Sequence, residues 1–242
     1  ELKSRVARLC AYLKSKGIKA GDRVAAILPN CVEAVEAMLA VTSLGAVWSS
    51  CSPDFGEQAI LDRFEQIEAK LLVVVTGYFY GGKTIEVAEK NASTVAKLST
   101  LLGVVEVNFL SNSKKGPENF DCYDSIVSDK NNLETTDLHF QRMPFGSPVF
   151  IMFSSGTTGA PKCLVHTVGG VLLQLSKEHQ LQCEIKRDEK ILYYTTCGWM
   201  MWNWLVATLH SGATVYCFDG APLTKDFSIW DLVAQEKISV FG

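Results

Sequence analysis

The stretch Glu57–Val75, "EQAILDRFEQIEAKLLVVV", decides the fold class. Residues 57–70 read as a helix, and Leu71–Val75 follow as an apolar run without alternation. A half-solvated strand alternates apolar and polar side chains, so an unpatterned run marks a strand covered on both faces. Such strands belong to parallel sheets that carry helices on either side. The neighbouring residues repeat the unit. Upstream, Leu2, Val6, Leu9, Cys10 and Leu13 fall at helical spacing and Gly17 is a natural stop. "RVAAIL" is a strand punctuated by Pro29 and Asn30, "VEAVEAMLAVTSLG" a helix ending at Gly45, and "AVWSS" a short strand. Downstream, "KTIEVAEKNASTVAKL" is expected to be a further helix and "LLGVVEV" a further strand. Strands alternating with helices predict an α/β fold with largely parallel sheets flanked by helices.

The alternation breaks once. Residues 1–110 form a first α/β block, residues 111–148 a polar connection expected to run over the surface, and residues 149–242 a second α/β block. The second block reads as strand "VFIMF", a glycine-rich loop, a helix near Gly170 to Glu178, strand "KILYYT", helix "MWNWLVATLH", strand "ATVYCF", helix "FSIWDLVAQEK" with Trp230 in the core, and strand "ISVFG". The chain begins without methionine inside a helical pattern and stops at a strand, so it is expected to be an internal piece of a longer protein.

Composition narrows the function classes. The 242 residues are 48% hydrophobic and 20% charged with net charge −3, an ordinary globular balance that points to neither nucleic acid nor a membrane surface. The run at Leu71–Val75 is far too short to span a bilayer and no secretory signal opens the chain, so the cytosol is the expected compartment. Eight cysteines occur without a C-x-x-C pair, which argues against zinc and for reduced thiols packed as small core residues. The four histidines have no partner at ligand spacing, and no metal site is expected among the side chains.

Chemistry concentrates in Phe153–Lys162, "FSSGTTGAPK", directly after "VFIM". Ligands of open α/β sheets bind at the carboxyl ends of strands. Gly156 and Gly159 allow close backbone approach and positive φ, so that successive N–H groups can form an anion nest. Ser154, Ser155, Thr157 and Thr158 add hydroxyl donors, and Lys162 a compact mobile cation suited to a terminal phosphate. The pattern asks for a polyphosphate, ATP with Mg²⁺; a solvated loop with a surface lysine is the plainer alternative. Pro161 before Lys162 and Cys163 after it depart from the G-K-[ST] ending of the nucleotide-triphosphatase loop. No G-x-G-x-x-G follows a predicted strand, which disfavours a dinucleotide enzyme.

"SSGTTGAPK" resembles the signature phosphate loop of the adenylate-forming superfamily. "GIKAGDRVAAILPN", "AMLAVTSLGAVWSSCSPDFG" and "ILDRFEQIEAKLLVV" are similar to its acetyl-CoA and acetoacetyl-CoA synthetase branch, and "YTTCGWMMWNWLVATLHSGATVYCFDG" resembles acetoacetyl-CoA synthetases in particular. The resemblance covers essentially the whole chain. It implies part of the large AMP-binding domain, and a ligase that joins acetoacetate to coenzyme A through an acyl-adenylate, releasing AMP and pyrophosphate. It further implies a place in ketone-body use and in lipid and sterol supply. Lys162 and Ser154–Gly159 would hold the ATP phosphates. The adenine-binding motifs and the small C-terminal domain are missing, so only part of an active site is expected. An acetyl- or other short-chain acyl-CoA synthetase is the nearest alternative, and a truncated nucleotide- or partner-binding fragment without catalysis is the alternative of another class.

Two further places are weighed. Lys83, in "GYFYGGK", matches a basic residue that meets a coenzyme A phosphate in the branch; a lysine opening a helix is the alternative. "CGWMMWNW", Cys197–Trp204, is expected to wall the acyl pocket with Gly198, Trp199, Trp202 and Asn203, against a buried helix start as the alternative. Selecting acetoacetate over butyrate needs a buried donor for the ketone oxygen, and Asn203 or an indole N–H of Trp199 or Trp202 can supply one.

Overall fold

The structure, a computed structural model, describes residues 1–110, 113–128, 138–154 and 159–242. Its centre is a seven-stranded sheet in the order β7-β6-β3-β1-β2-β8-β9. The strands are β1 Arg23–Ile27, β2 Val47–Cys51, β3 Leu71–Val75, β6 Gly103–Val107, β7 Asp121–Cys122, β8 Pro148–Ser154 and β9 Lys162–Thr167. Every neighbouring pair is parallel except β8 with β9. Leu71–Val75 is buried throughout, as its unpatterned sequence requires. The period of two sorts the side chains. Val24, Ala26, Val73 and Val75 pack against α1 (Leu2–Ser15), α2 (Val32–Ser43) and α5 (Tyr123–Ser128). Ala25, Ile27, Leu72 and Val74 pack with Ile60, Leu61 and Phe64 of α3 (Glu57–Phe64) and with Val95 of α4 (Ala88–Lys97).

A second, three-stranded parallel sheet has the order β11-β10-β12, with β10 Lys190–Leu192, β11 Thr214–Tyr216 and β12 Val240–Phe241. Helices α6 (Val168–Lys177), α7 (Met200–Ala207) and α8 (Ile229–Glu236) accompany it. α7 joins both units: Trp204 and Leu205 pack with Ile191, whereas Trp202 and Val206 belong to the core of the large sheet.

Several expectations are corrected. The helix expected over residues 83–98 starts only at Ala88, because Lys83–Glu86 forms β5, paired antiparallel with β4 (Gly77–Tyr80). Gly81 and Gly82, at φ +56° and +73°, supply the turn that a two-residue hairpin demands. Lys83 therefore opens a strand, not a helix. α3 ends at Phe64 rather than running to Lys70, and Glu68 takes φ +48° in the turn that follows. β9 was not expected; it is an edge strand with Leu164 and Val165 exposed, and edges lack the buried pattern. Within 111–148, β7 extends the sheet and α5 buries Tyr123 and Val127 completely, so this stretch is not only a surface connection. Its polarity is spent on internal contacts: Tyr123 donates to Glu36 at 2.5 Å, and Lys16 meets Asp121 at 2.7 Å. Nor does residue 149 separate two sheets, since β8 pairs with β2. Trp230 is exposed, lying on Phe241 rather than in a core. All eight cysteines are free thiols, and no described helix is long and apolar enough to cross a membrane.

Candidate active site

β8 carries Ser154 to the carboxyl edge of the large sheet, the edge at which β1, β2 and β3 also end. Ser155, Gly156, Thr157 and Thr158 lie outside the described residues. Beyond them Gly159 has φ +117°, a backbone conformation that calls for glycine there. Lys162 is exposed and stands in register with Ser154 across the β8–β9 pair, so the two bracket the loop. Gln66 Nε2 holds the loop exit through the Pro161 carbonyl at 3.0 Å. Arg63, unremarked in the sequence, lies over the rings of Phe55 and Phe153 at 4.9 and 5.7 Å and brings a cation to the end of β8.

A cavity of about 390 Å³ opens where the carboxyl ends of both sheets meet. Pro29 and Asn30 reach it from the end of β1, Ser52 and Asp54 from the end of β2, Tyr78, Phe79 and Tyr80 from the β4–β5 hairpin, Tyr193–Thr196 from β10, and Phe218, Asp219 and Gly220 from beyond β11. Trp199 and Met201 complete the wall. This is the crevice that parallel sheets leave at their carboxyl ends. Among the described residues no lysine or arginine lines it. Burial pushes the Asp219 carboxyl up to about 6, although one of its oxygens accepts from the Phe79 amide at 2.8 Å. Lys90 steadies the Asp54 loop by donating to the carbonyls of Pro53 and Phe55, and burial lowers its pKa.

The four residues expected to wall an acyl pocket divide. Trp199, 59% exposed at the start of α7, faces the cavity. Gly198 packs on the backbone of Cys51 and Ser52, where an added Cβ would be in ordinary contact at 3.6 Å. Trp202 is 0% exposed: it stacks on Trp48 at 6.4 Å and donates to Asn30 Oδ1 at 3.0 Å. Asn203 is buried and donates to Met152 Sδ at 3.1 Å. Trp202 and Asn203 are therefore core with their donors engaged, and of the three donors expected to read a ketone Trp199 is the one at the cavity. Asn30 and Asp219 were missed, while Met201 lies within the Cys197–Trp204 stretch expected to wall the pocket. The only sequence signal for Asn30 was its position straight after a predicted strand. Lys83 is exposed at the hairpin turn, opposite the cavity-lining Tyr80.

The family model described as "AMP-binding enzyme" matches residues 1–242. The chain belongs to the AMP-binding enzyme family. Along its whole length it is 46% identical to the acetoacetyl-coenzyme A synthetase of Rhizobium meliloti and 45% identical to the acetoacetyl-CoA synthetase of Danio rerio, covering 37% of each. The acetoacetyl-CoA synthetase of Streptomyces lividans, a solved structure, superposes with TM-score 0.93 at 36% identity, over 100% of this chain and 36% of that one. The chain thus spans little more than a third of the length of the relatives it matches.

Proposed function

We propose that the chain is part of an acetoacetate–CoA ligase, which uses ATP to form an acyl-adenylate and passes the acyl group to coenzyme A. The observation that carries this reading is the 44–46% identity, over the whole chain, to acetoacetyl-CoA synthetases of a bacterium, a fish and a mouse. In the first half-reaction the substrate carboxylate attacks the α-phosphorus of ATP and pyrophosphate leaves; in the second, the thiolate displaces AMP. Positioning and charge stabilisation supply most of such catalysis. Ser154–Gly159 and Lys162 hold the departing polyphosphate, and Lys83 at the hairpin turn meets a coenzyme A phosphate. The cavity takes the uncharged parts of the substrates, since its titratable lining is acidic and phenolic. Mg²⁺, when bound, offsets polyphosphate charge. Among the described residues no three His, Cys, Asp or Glu side chains form a metal cage. The cytosol is the compartment this reading implies.

The test is ATP–pyrophosphate exchange by the complete parent protein with acetoacetate, acetate and butyrate. Exchange strongest with acetoacetate, followed by thioester formation with coenzyme A, is the expected result. Exchange that acetoacetate does not stimulate above the no-acid background would sink the reading, and exchange strongest with acetate would move it to the short-chain relatives.

A further inference from the structure

Among the described residues a single hydrogen bond ties the β4–β5 hairpin to another element, and its two partners stand on different walls of the cavity. Two strands by themselves are marginally stable in water, so such a hairpin depends on what holds it from outside. Its base is packed: Gly77 lies against Leu110 with no room for a Cβ, and the ring of Phe79 meets Phe109 edge-on at 5.8 Å. Its tip is not, for nothing among the described residues lies within 4 Å of a Cβ built at Gly81 or Gly82. Lys83 opens the second strand of this arm, directly after the turn.

Phe79 stands opposite Thr84 in the hairpin. Opposed residues of an antiparallel pair alternate between exchanging both hydrogen bonds and turning them outward. The Phe79 N–H is turned outward, and it donates to Asp219 Oδ2 at 2.8 Å. Asp219 is held in its turn by the second unit. The Tyr194 hydroxyl donates to the Gly220 carbonyl at 3.3 Å, the Tyr194 ring lies 6.1 Å from Phe218, and Phe218 stacks on Phe227 at 5.6 Å. Gly220 takes φ +127°, which turns the chain straight after Asp219. A hydrogen bond from an amide to a carboxylate is about twice as strong as one between neutral groups, so this one matters to an arm with little support beyond its base.

We infer that Asp219 is a positioning residue: its carboxylate fastens the β4–β5 hairpin to the opposite wall of the cavity and so fixes where Lys83 meets coenzyme A. The inference rests on the ligase reading for its ligand and on the Phe79–Asp219 pair for its geometry. An acid in contact with the coenzyme phosphates would repel them. Spent on a backbone amide, the same acid organises the arm without meeting the anion, which is how binding groups are supported from behind.

The experiment uses the complete parent enzyme at about pH 8, where the Asp219 carboxyl is ionised. Asp219→Ala removes the acceptor; Asp219→Asn keeps an oxygen for the Phe79 amide. The KM of coenzyme A should rise about fivefold in Asp219→Ala and return to within about twofold of wild type in Asp219→Asn, while the KM of ATP in pyrophosphate exchange holds in both. In a Lys83→Ala background Asp219→Ala should add less than about twofold, because the two residues act through one arm. An undiminished effect in that background, or a coenzyme A KM that Asp219→Ala moves less than about twofold, overturns the inference. Hydrogen exchange covers the case in which Asp219→Ala does not fold. In the wild type the Phe79 amide should exchange about tenfold or more slowly than that of Thr84, which turns outward on the other strand; equal rates for the two overturn the inference as well. A parent that forms no thioester with coenzyme A would refute the ligase reading, and the exchange comparison, which needs no substrate, still decides whether Asp219 holds the hairpin.

Discussion

Trp202→Phe separates a core tryptophan from a pocket wall. Trp202 is fully buried, and its indole N–H is the donor that meets Asn30 Oδ1. Phenylalanine keeps one ring against Trp48 and loses the other. Roughly 40 Å² of apolar contact is given up, about 1 kcal/mol. The hydrogen bond is lost too, and the Asn30 oxygen is left buried without its donor at about 1–3 kcal/mol. The expected loss of stability is therefore about 2–4 kcal/mol. Trp199→Phe is the control: Trp199 is largely exposed, and substitutions at such positions usually stay within about 0.5 kcal/mol. The assay is urea unfolding of the complete parent protein, with hydrogen exchange read at the amides of β1–β3. Exchange there reports this sheet even where other parts of a longer chain unfold separately. A loss below about 1 kcal/mol for Trp202→Phe, or equal losses for the two variants, would refute the placement.

Three further outcomes are expected. In the parent enzyme, Lys162→Ala should slow adenylate formation about ten- to a hundredfold, the worth of one charge-assisted contact, and leave thioester formation from supplied acyl-adenylate near wild type; equal losses in both steps would remove Lys162 from the leaving group. Asp219→Asn should stabilise the protein at pH 7. A carboxyl whose folded pKa is pushed up to about 6 binds its proton more tightly folded than unfolded, so wild-type stability declines as pH rises from about 4 to 6 and then stays level. The whole shift would be worth about 3 kcal/mol, and partial exposure brings the expected gain to about 1–2 kcal/mol, read as a urea midpoint that no longer falls over that range. His179→Phe should flatten the opposite limb: among the described residues the buried His179 ring nitrogens have no partners, and burial followed by the neighbouring His210 lowers its pKa. Wild-type stability is then complete above about pH 6.5 and falls as the pH drops through the folded pKa, and a variant as acid-sensitive as wild type would exclude His179 as the source.

The large sheet was legible because burial on two faces leaves a mark that needs no partner to interpret. Leu71–Val75 carries it in full, and the helices on either side of the strand show their own period. The elements that were not legible all depend on something remote. β9 is a strand because β8 lies beside it, yet its residues are exposed and carry no alternation that burial would have enforced. β5 is a strand because Gly81 and Gly82 reverse the chain, while "KTIE" alone continues smoothly into the helix behind it. α5 was hidden by its polarity. The residues around it make contacts such as Lys16 with Asp121 and Tyr123 with Glu36, which lie 105 and 87 positions apart.

The candidate site shows the same limit more sharply. Local sequence carried the glycine-rich stretch after β8, since its hydroxyl and glycine residues are consecutive. It could not rank the tryptophans of "GWMMWNW", because the direction of each depends on where α7 sits between two cores. Trp199 precedes the helix and turns outward; Trp202, one helical step on, turns inward onto Trp48. The demand for a buried donor was sound, but every donor named for it is either engaged in the core or exposed. The partner that takes the Trp202 donor is Asn30, 172 positions earlier in the chain, where it looked like a strand terminator. The aromatic segment therefore splits: the Trp202 indole is spent on the Asn30 oxygen inside the core, whereas Trp199 stays at the cavity wall.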